Sequence, residues 1–120
     1  MNDYQMGVIE SRFADMIWEN EPISTTELVK HCATLFEWKK STTYTVLKRL
    51  CEKGIFANDR GTVTSKISKQ DFYAHQSEKF IASAFNGSLP AFLAAFTTRN
   101  GLTPEDIVAL RQMIEKYEEE

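Results

Sequence analysis

Residues 41–53 read STTYTVLKRLCEK, and the two faces of that stretch decide the fold. At helical spacing Val46, Leu47 and Leu50 form one narrow apolar stripe, extended by Thr43 and Cys51. Opposite it stand Ser41, Thr42, Tyr44, Thr45, Lys48, Arg49 and Glu52, a polar and cationic face rich in short hydrogen-bonding side chains. Gly54 follows where a left-handed residue ends a helix. A helix of this kind fits the major groove of B-DNA. There Ser and Thr hydroxyls reach base edges or phosphate, and a Thr methyl or Tyr ring packs on a thymine methyl. Any amphipathic helix with a wet face shows the same pattern, so its neighbours must separate the two readings.

Two short helices precede it. The first is expected from about Ile9 to Asn20, with Phe13, Met16 and Ile17 at helical spacing and Trp18 beside them. Glu21-Pro22 ends it, because the residue before proline is pushed out of the α region. The second starts at Ser24-Thr25-Thr26-Glu27, a capping-box pattern, and runs to about Glu37 on a stripe of Leu28, Val29, Cys32, Leu35 and Phe36. After Gly54 the pattern changes. Ile55–Asn58 reads as a strand, Asp59-Arg60-Gly61 as a tight turn, and Thr62–Ile67 as a β-branched second strand. Three helices followed by a basic hairpin make a winged helix-turn-helix, with Arg60 and Lys66 on a wing that reaches the sugar-phosphate backbone or minor groove.

Charge supports this arrangement. The chain of 120 residues carries a net charge of −3, yet Trp38–Lys69 holds eight Lys or Arg against two acids, and 70–120 holds four against eight. A basic middle on an acidic carrier is the footprint of a polyanion-binding segment. Composition is that of a soluble globular protein, with 42% hydrophobic and 26% charged residues. No apolar run approaches a membrane span and the N-terminus lacks signal-peptide features, so a cytoplasmic protein with no direct membrane binding is expected. Cys32 and Cys51 form neither a CxxC pair nor a zinc spacing, and His31 and His75 add no motif. Both thiols are expected reduced and structural, with no metal and no cofactor. An enzyme is not expected either. There is no Gly-rich phosphate loop, Ser41 has no His–Asp motif, and Asp15, Glu19 and Glu27 read as solvated helix acids.

The C-terminal half reads as three more helices. Ser68 caps the first, which carries Phe72, Tyr73, Phe80, Ile81, Ala84 and Phe85. Asn86-Gly87 breaks it and Ser88 caps a nearly all-apolar second, LPAFLAAF. Thr103-Pro104-Glu105-Asp106 opens the third, whose stripe is Ile107, Leu110, Met113, Ile114 and Tyr117. Phe72, Phe80, Phe85, Phe92 and Phe96 are too many aromatics for three short helices to hide. With Ile107, Leu110 and Ile114 they are expected to form a homodimer surface. The expected fold class is therefore mainly α with a small β-hairpin: a winged-helix DNA-binding domain over 1–68 and a helical dimerisation domain over 69–120.

Four stretches carry a resemblance that covers Ile9 to Tyr117: ESRFADMIWENEPISTTELV, KKSTTYTVLKRLCEKGI, FNGSLPAFLAAF and LTPEDIVALRQMIEK. Together they resemble the penicillinase-repressor family of bacterial regulators, the BlaI/MecI/CopY type. The resemblance implies a winged-helix N-terminal domain, a three-helix dimerisation domain, and repression from a palindromic double-stranded DNA operator. It places groove reading on Ser41, Thr42, Tyr44 and Thr45, supported by Lys48 and Arg49. The family more often has a basic residue where Ser41 and Tyr44 stand, so the operator should differ there. In the β-lactam-responsive branch a membrane-sensor system triggers repressor cleavage. The matching bond is Ala95-Phe96, with Ala95 in place of the usual asparagine. The copper-responsive branch carries a cysteine-rich C-terminal motif, and this chain has no cysteine after Cys51.

Two other readings fit some of the same residues. One is a winged-helix protein-interaction module that binds no DNA and docks a protein on Tyr44, Thr45 and Arg49. The other is a redox or metal sensor using Cys32 and Cys51.

Overall fold

The computed structural model describes residues 5–119. Among them are six helices and three strands: α1 (Val8–Asn20), β1 (Ile23–Ser24), α2 (Thr25–Phe36), α3 (Lys40–Glu52), β2 (Phe56–Asp59), β3 (Thr62–Ser65), α4 (Lys69–Ala84), α5 (Leu89–Asn100) and α6 (Pro104–Glu118). The fold is mainly α with a small antiparallel sheet, a winged helix followed by a helical region, as expected. The chain forms two compact units, one ending at Gln76 and the other starting at Ser77, so α4 contributes to both.

In the first unit, α1 buries Phe13, Ala14, Met16 and Ile17. They join Leu28 and Cys32 of α2, the stripe of α3, and Ile55, Phe56 and Val63 of the hairpin in one core. The sheet has the order β1-β3-β2. The hairpin was expected; β1 was not. Ile23 pairs with Val63 and Ser24 with Thr62. Ser24 also caps α2, its Oγ accepting from the Glu27 N–H at 3.1 Å. A two-residue strand that doubles as a cap shows no period of its own in sequence.

The wing turns on Arg60 (φ 53°) and Gly61 (φ 89°), between the paired residues Asp59 and Thr62. Two consecutive positive φ values are what a two-residue hairpin loop needs to match strand twist. The turn is tied down on both sides: the Gly61 N–H donates to Asn58 Oδ1 at 3.0 Å, and its carbonyl accepts from the Thr25 N–H at 2.9 Å. At the other end of β3, the Glu21 carboxylate accepts from the Ser65 N–H at 2.9 Å and from its hydroxyl at 2.8 Å. The wing is therefore fastened to the first turn of α2 and to the end of α1.

Trp18 fastens the start of α4. Its ring centroid lies 5.3 Å from Phe56 and 5.4 Å from Phe72, and its Nε1 donates to the Ile67 carbonyl at 3.0 Å. Lys69 adds an ion pair to Asp15 at 3.2 Å. Phe72 was grouped in sequence with the intersubunit aromatics. It is 3% exposed within this unit and belongs to its core, so its ring already has intrachain partners.

The second unit has a different character. Ser88 caps α5 through the Ala91 N–H at 3.1 Å, and Thr103 caps α6 through the Asp106 N–H at 3.0 Å, both as expected. Asn86 and Gly87 take positive φ at the break between α4 and α5. Phe80, Phe85 and Phe92 meet edge-to-face, with centroids 5.5 to 6.2 Å apart. Even so, neither α5 nor α6 has a buried residue among those described.

Two outcomes follow from these packing arguments. Gly61→Ala has room, since its Cβ would lie 3.6 Å from Thr25 Oγ1, but the φ of +89° remains. Chemical denaturation should show a loss of about 1–2 kcal/mol with an unchanged m-value. The Cys32 thiol is pushed up by burial, against a smaller opposing effect of the Thr43 hydroxyl, and burial also raises the Cys51 thiol. The unfolded thiols ionise at their ordinary value while the folded ones hold their protons. Stability is thus fully present below about pH 8.5 and falls as pH rises beyond it. A Cys32→Ala/Cys51→Ala variant should show a flatter fall over that alkaline range in urea titrations.

Candidate nucleic-acid interface

α3 is set in place by one side and presents the other. Thr43, Val46, Leu47 and Leu50 are buried, while Ser41, Thr42, Tyr44, Thr45, Lys48 and Arg49 are all exposed. Helical spacing divides the outer face further. Ser41, Thr45, Lys48 and Glu52 lie along the ridge opposite the core. Tyr44 and Cys51 lie on the flank next to β2, where Tyr44, Leu47, Lys48, Cys51 and Asn58 line a surface cavity of about 320 Å³. Thr42, Arg49 and Lys53 lie on the other flank, toward α1.

The ridge has the chemistry of a base-reading surface. The Thr45 hydroxyl donates to the Ser41 carbonyl at 2.9 Å, which fixes the rotamer and leaves its oxygen free to accept. The Lys40 Nζ sits 5.9 Å from the centre of the Tyr44 ring. Such a contact holds a cation beside the aromatic face. Sequence reasoning counted Lys39 and Lys40 in the local charge without placing them. The structure puts Lys39 at the N-cap with no side-chain cap bond and Lys40 in the first turn. Two cations then stand where free backbone N–H groups and the helix dipole already favour an anion. The paired lysines immediately before the Ser41 stretch were the available sign.

Arg49 is less free than its place in the sequence suggested. Its Nη1 lies 3.6 Å from Glu10 Oε2, and Lys53 Nζ lies 3.9 Å from the same oxygen. The Gly7 N–H donates to Glu10 Oε1 at 3.3 Å, and Lys53 Nζ also donates to the Gln5 carbonyl. Glu10 was absent from the expected site because the partners are some forty positions away in sequence. Arg60 is exposed at the tip of the hairpin and Lys66 is exposed just past β3. These two wing cations therefore stand at opposite ends of one strand.

Of the expected dimerisation residues outside the first unit, Phe80, Phe96, Ile107 and Ile114 are exposed, and Phe85, Phe92 and Leu110 are half-buried. Leu89, Leu102, Val108, Met113 and Tyr117 are exposed as well, which widens the apolar surface beyond the residues first singled out. Ala95-Phe96 lies inside α5, so cleavage there would require that helix to open locally. Cys32 and Cys51 are free thiols. Among the described residues no group of three or more His, Cys, Asp or Glu could hold a metal ion. No single helix among them is long and apolar enough to cross a membrane.

Comparison with known proteins gives a consistent result. The family model described as penicillinase repressor matches residues 6–116. The chain is similar to the penicillinase repressor of Bacillus licheniformis, 28% identical over 117 residues, which span 94% of this chain and 91% of that protein. It is also similar to the methicillin resistance regulatory protein MecI of Staphylococcus aureus, 21% identical over 94% of this chain and 95% of that one. The protein of the same name from Staphylococcus epidermidis is 20% identical over the same shares. With a family match that extends over nearly its whole length, this chain belongs to the penicillinase repressor family.

Proposed function

We propose that this protein is a transcriptional repressor that binds double-stranded DNA as a homodimer on a palindromic operator. The observation that carries this reading is α3. A four-residue buried stripe holds Ser41, Tyr44, Thr45 and Lys48 outward on one continuous face, with Lys39 and Lys40 at its start. The ridge reads base edges in the major groove, and the flanking cations meet phosphates. Arg60 and Lys66 extend the contact from the wing. The chain works in the cytoplasm, with a DNA-binding domain that takes in the start of α4 through Phe72 and a dimerisation domain that follows it.

The homodimer is supported by the second unit. Phe80, Leu89, Phe96, Val108, Met113 and Ile114 are large apolar side chains left in contact with water in a single chain. A surface of that kind calls for a partner, and a second copy supplies one by symmetry. A dimer also brings two copies of α3 to one duplex, which is what a two-fold operator requires. Release of the repressor by a membrane-sensor protease would act at Ala95-Phe96, through local opening of α5.

Selection from a random duplex library should return a palindrome with half-sites about one helical turn apart, and binding should weaken steeply with salt. Arg49→Ala, on the flank, should weaken binding to all sequences alike. Thr45→Ala and Lys48→Ala, both on the ridge, should change the preferred bases, at about 1–3 kcal/mol per lost base contact. No salt-dependent duplex binding at all would point instead to a protein-docking module. Sedimentation should find a dimer at micromolar concentration, and a monomer there would contradict the two-fold operator.

A further inference from the structure

We infer that Glu10 is a positioning residue for DNA binding, holding Arg49 on the α1 flank of α3 so that its guanidinium meets a backbone phosphate. The inference rests on the DNA-binding reading above. The ridge of α3 carries Ser41, Thr45 and Lys48, and Arg49 is turned from it toward α1, as its contact with Glu10 records. A helix lying in the major groove offers its ridge to base edges and its flanks to the phosphates that border the groove. Arg49 is on a flank, so its contact carries affinity and no sequence information.

The Glu10 carboxylate faces two cations, Arg49 at 3.6 Å and Lys53 at 3.9 Å. The Lys53 side chain is only 19% exposed and also donates to the Gln5 carbonyl, so it is committed to this cluster. Two cations share one carboxylate, so the three groups together keep one net positive charge. Arg49 is the cation open to solvent, its side chain 51% exposed. Glu10 itself is held in place, since its other oxygen accepts the Gly7 N–H. The carboxylate lies within ion-pair distance of the guanidinium without hydrogen-bonding it, which orients the half-exposed Arg49 side chain and leaves its donors open to a phosphate. A planar fork oriented in advance loses less freedom when it closes on a phosphate.

Withholding Arg49 from DNA is the opposite role for the same pair, and the two predict opposite signs. The test is a double-mutant cycle on the full chain, with affinity for a random-sequence duplex measured across a salt series. Arg49→Ala should weaken binding and lower the salt slope by about 0.9 for each lost phosphate contact. Glu10→Ala, although it removes a negative charge near a polyanion, should also weaken binding, by about two- to fivefold per subunit. In the Arg49→Ala background Glu10→Ala should have no effect. Thermal melts accompany each variant. If Glu10→Ala does not fold, Glu10→Gln removes the charge with little change of shape and carries the same expectation. Tighter or unchanged binding on replacing Glu10, or strict additivity with Arg49→Ala, overturns the positioning role while leaving DNA binding intact. A wild-type chain with no salt-dependent duplex binding removes the DNA reading and this role together.

Discussion

Burial of Thr43, Val46, Leu47 and Leu50 fixes the rotation of α3 about its own axis, and the functional surface depends on that rotation. These side chains share a core with Phe13, Ile17, Leu28 and Phe56, contributed by two other helices and the sheet. Close-packed interiors of this kind resist slippage, because turning the helix by one position would exchange an apolar stripe for a polar one. The same burial therefore decides that Ser41, Thr45 and Lys48 face outward, that Tyr44 faces the β2 side, and that Arg49 faces α1. Around α3 the supports are long-range. Trp18 ties α1 to the start of α4, Glu21 ties the end of α1 to β3, and Gly61 ties the hairpin to α2.

Much of this was legible because it is periodic or local. The stripe of α3, the caps at Ser24, Ser68, Ser88 and Thr103, and the Arg60-Gly61 turn each depend on neighbours within four residues. What escaped was non-local or too short. β1 is two residues long and exists because Ile23 meets Val63 across the fold. Glu10 gains its role from Arg49 and Lys53, and nothing near it in sequence announces that. Phe72 shows a further limit. A count of aromatics tells how much ring surface needs cover, but not whether the cover comes from the same chain. Trp18 provides it for Phe72, whereas Phe80 and Phe96 stay exposed.

The two units divide the physical work. The first buries most of its large apolar side chains, Val8, Ile9 and Leu35 excepted, and shows cations at α3 and the wing, so that part of its surface suits an anion. The second leaves apolar side chains outside on α5 and α6 and carries most of the acids of the C-terminal half. A net charge of −3 hides this contrast. Local potential, not the sum over the chain, governs attraction to a polyanion within a Debye length of the surface.

The most direct test of the α3 surface is amide chemical-shift mapping as duplex DNA is added to isotopically labelled protein. Perturbations should concentrate on Lys39–Arg49 and on the wing around Arg60 and Lys66. The amides of the buried positions Phe13 and Leu28 should stay unchanged. Perturbations confined to α2 or α6, with the α3 amides silent, would contradict the assignment of α3 as the DNA-reading element.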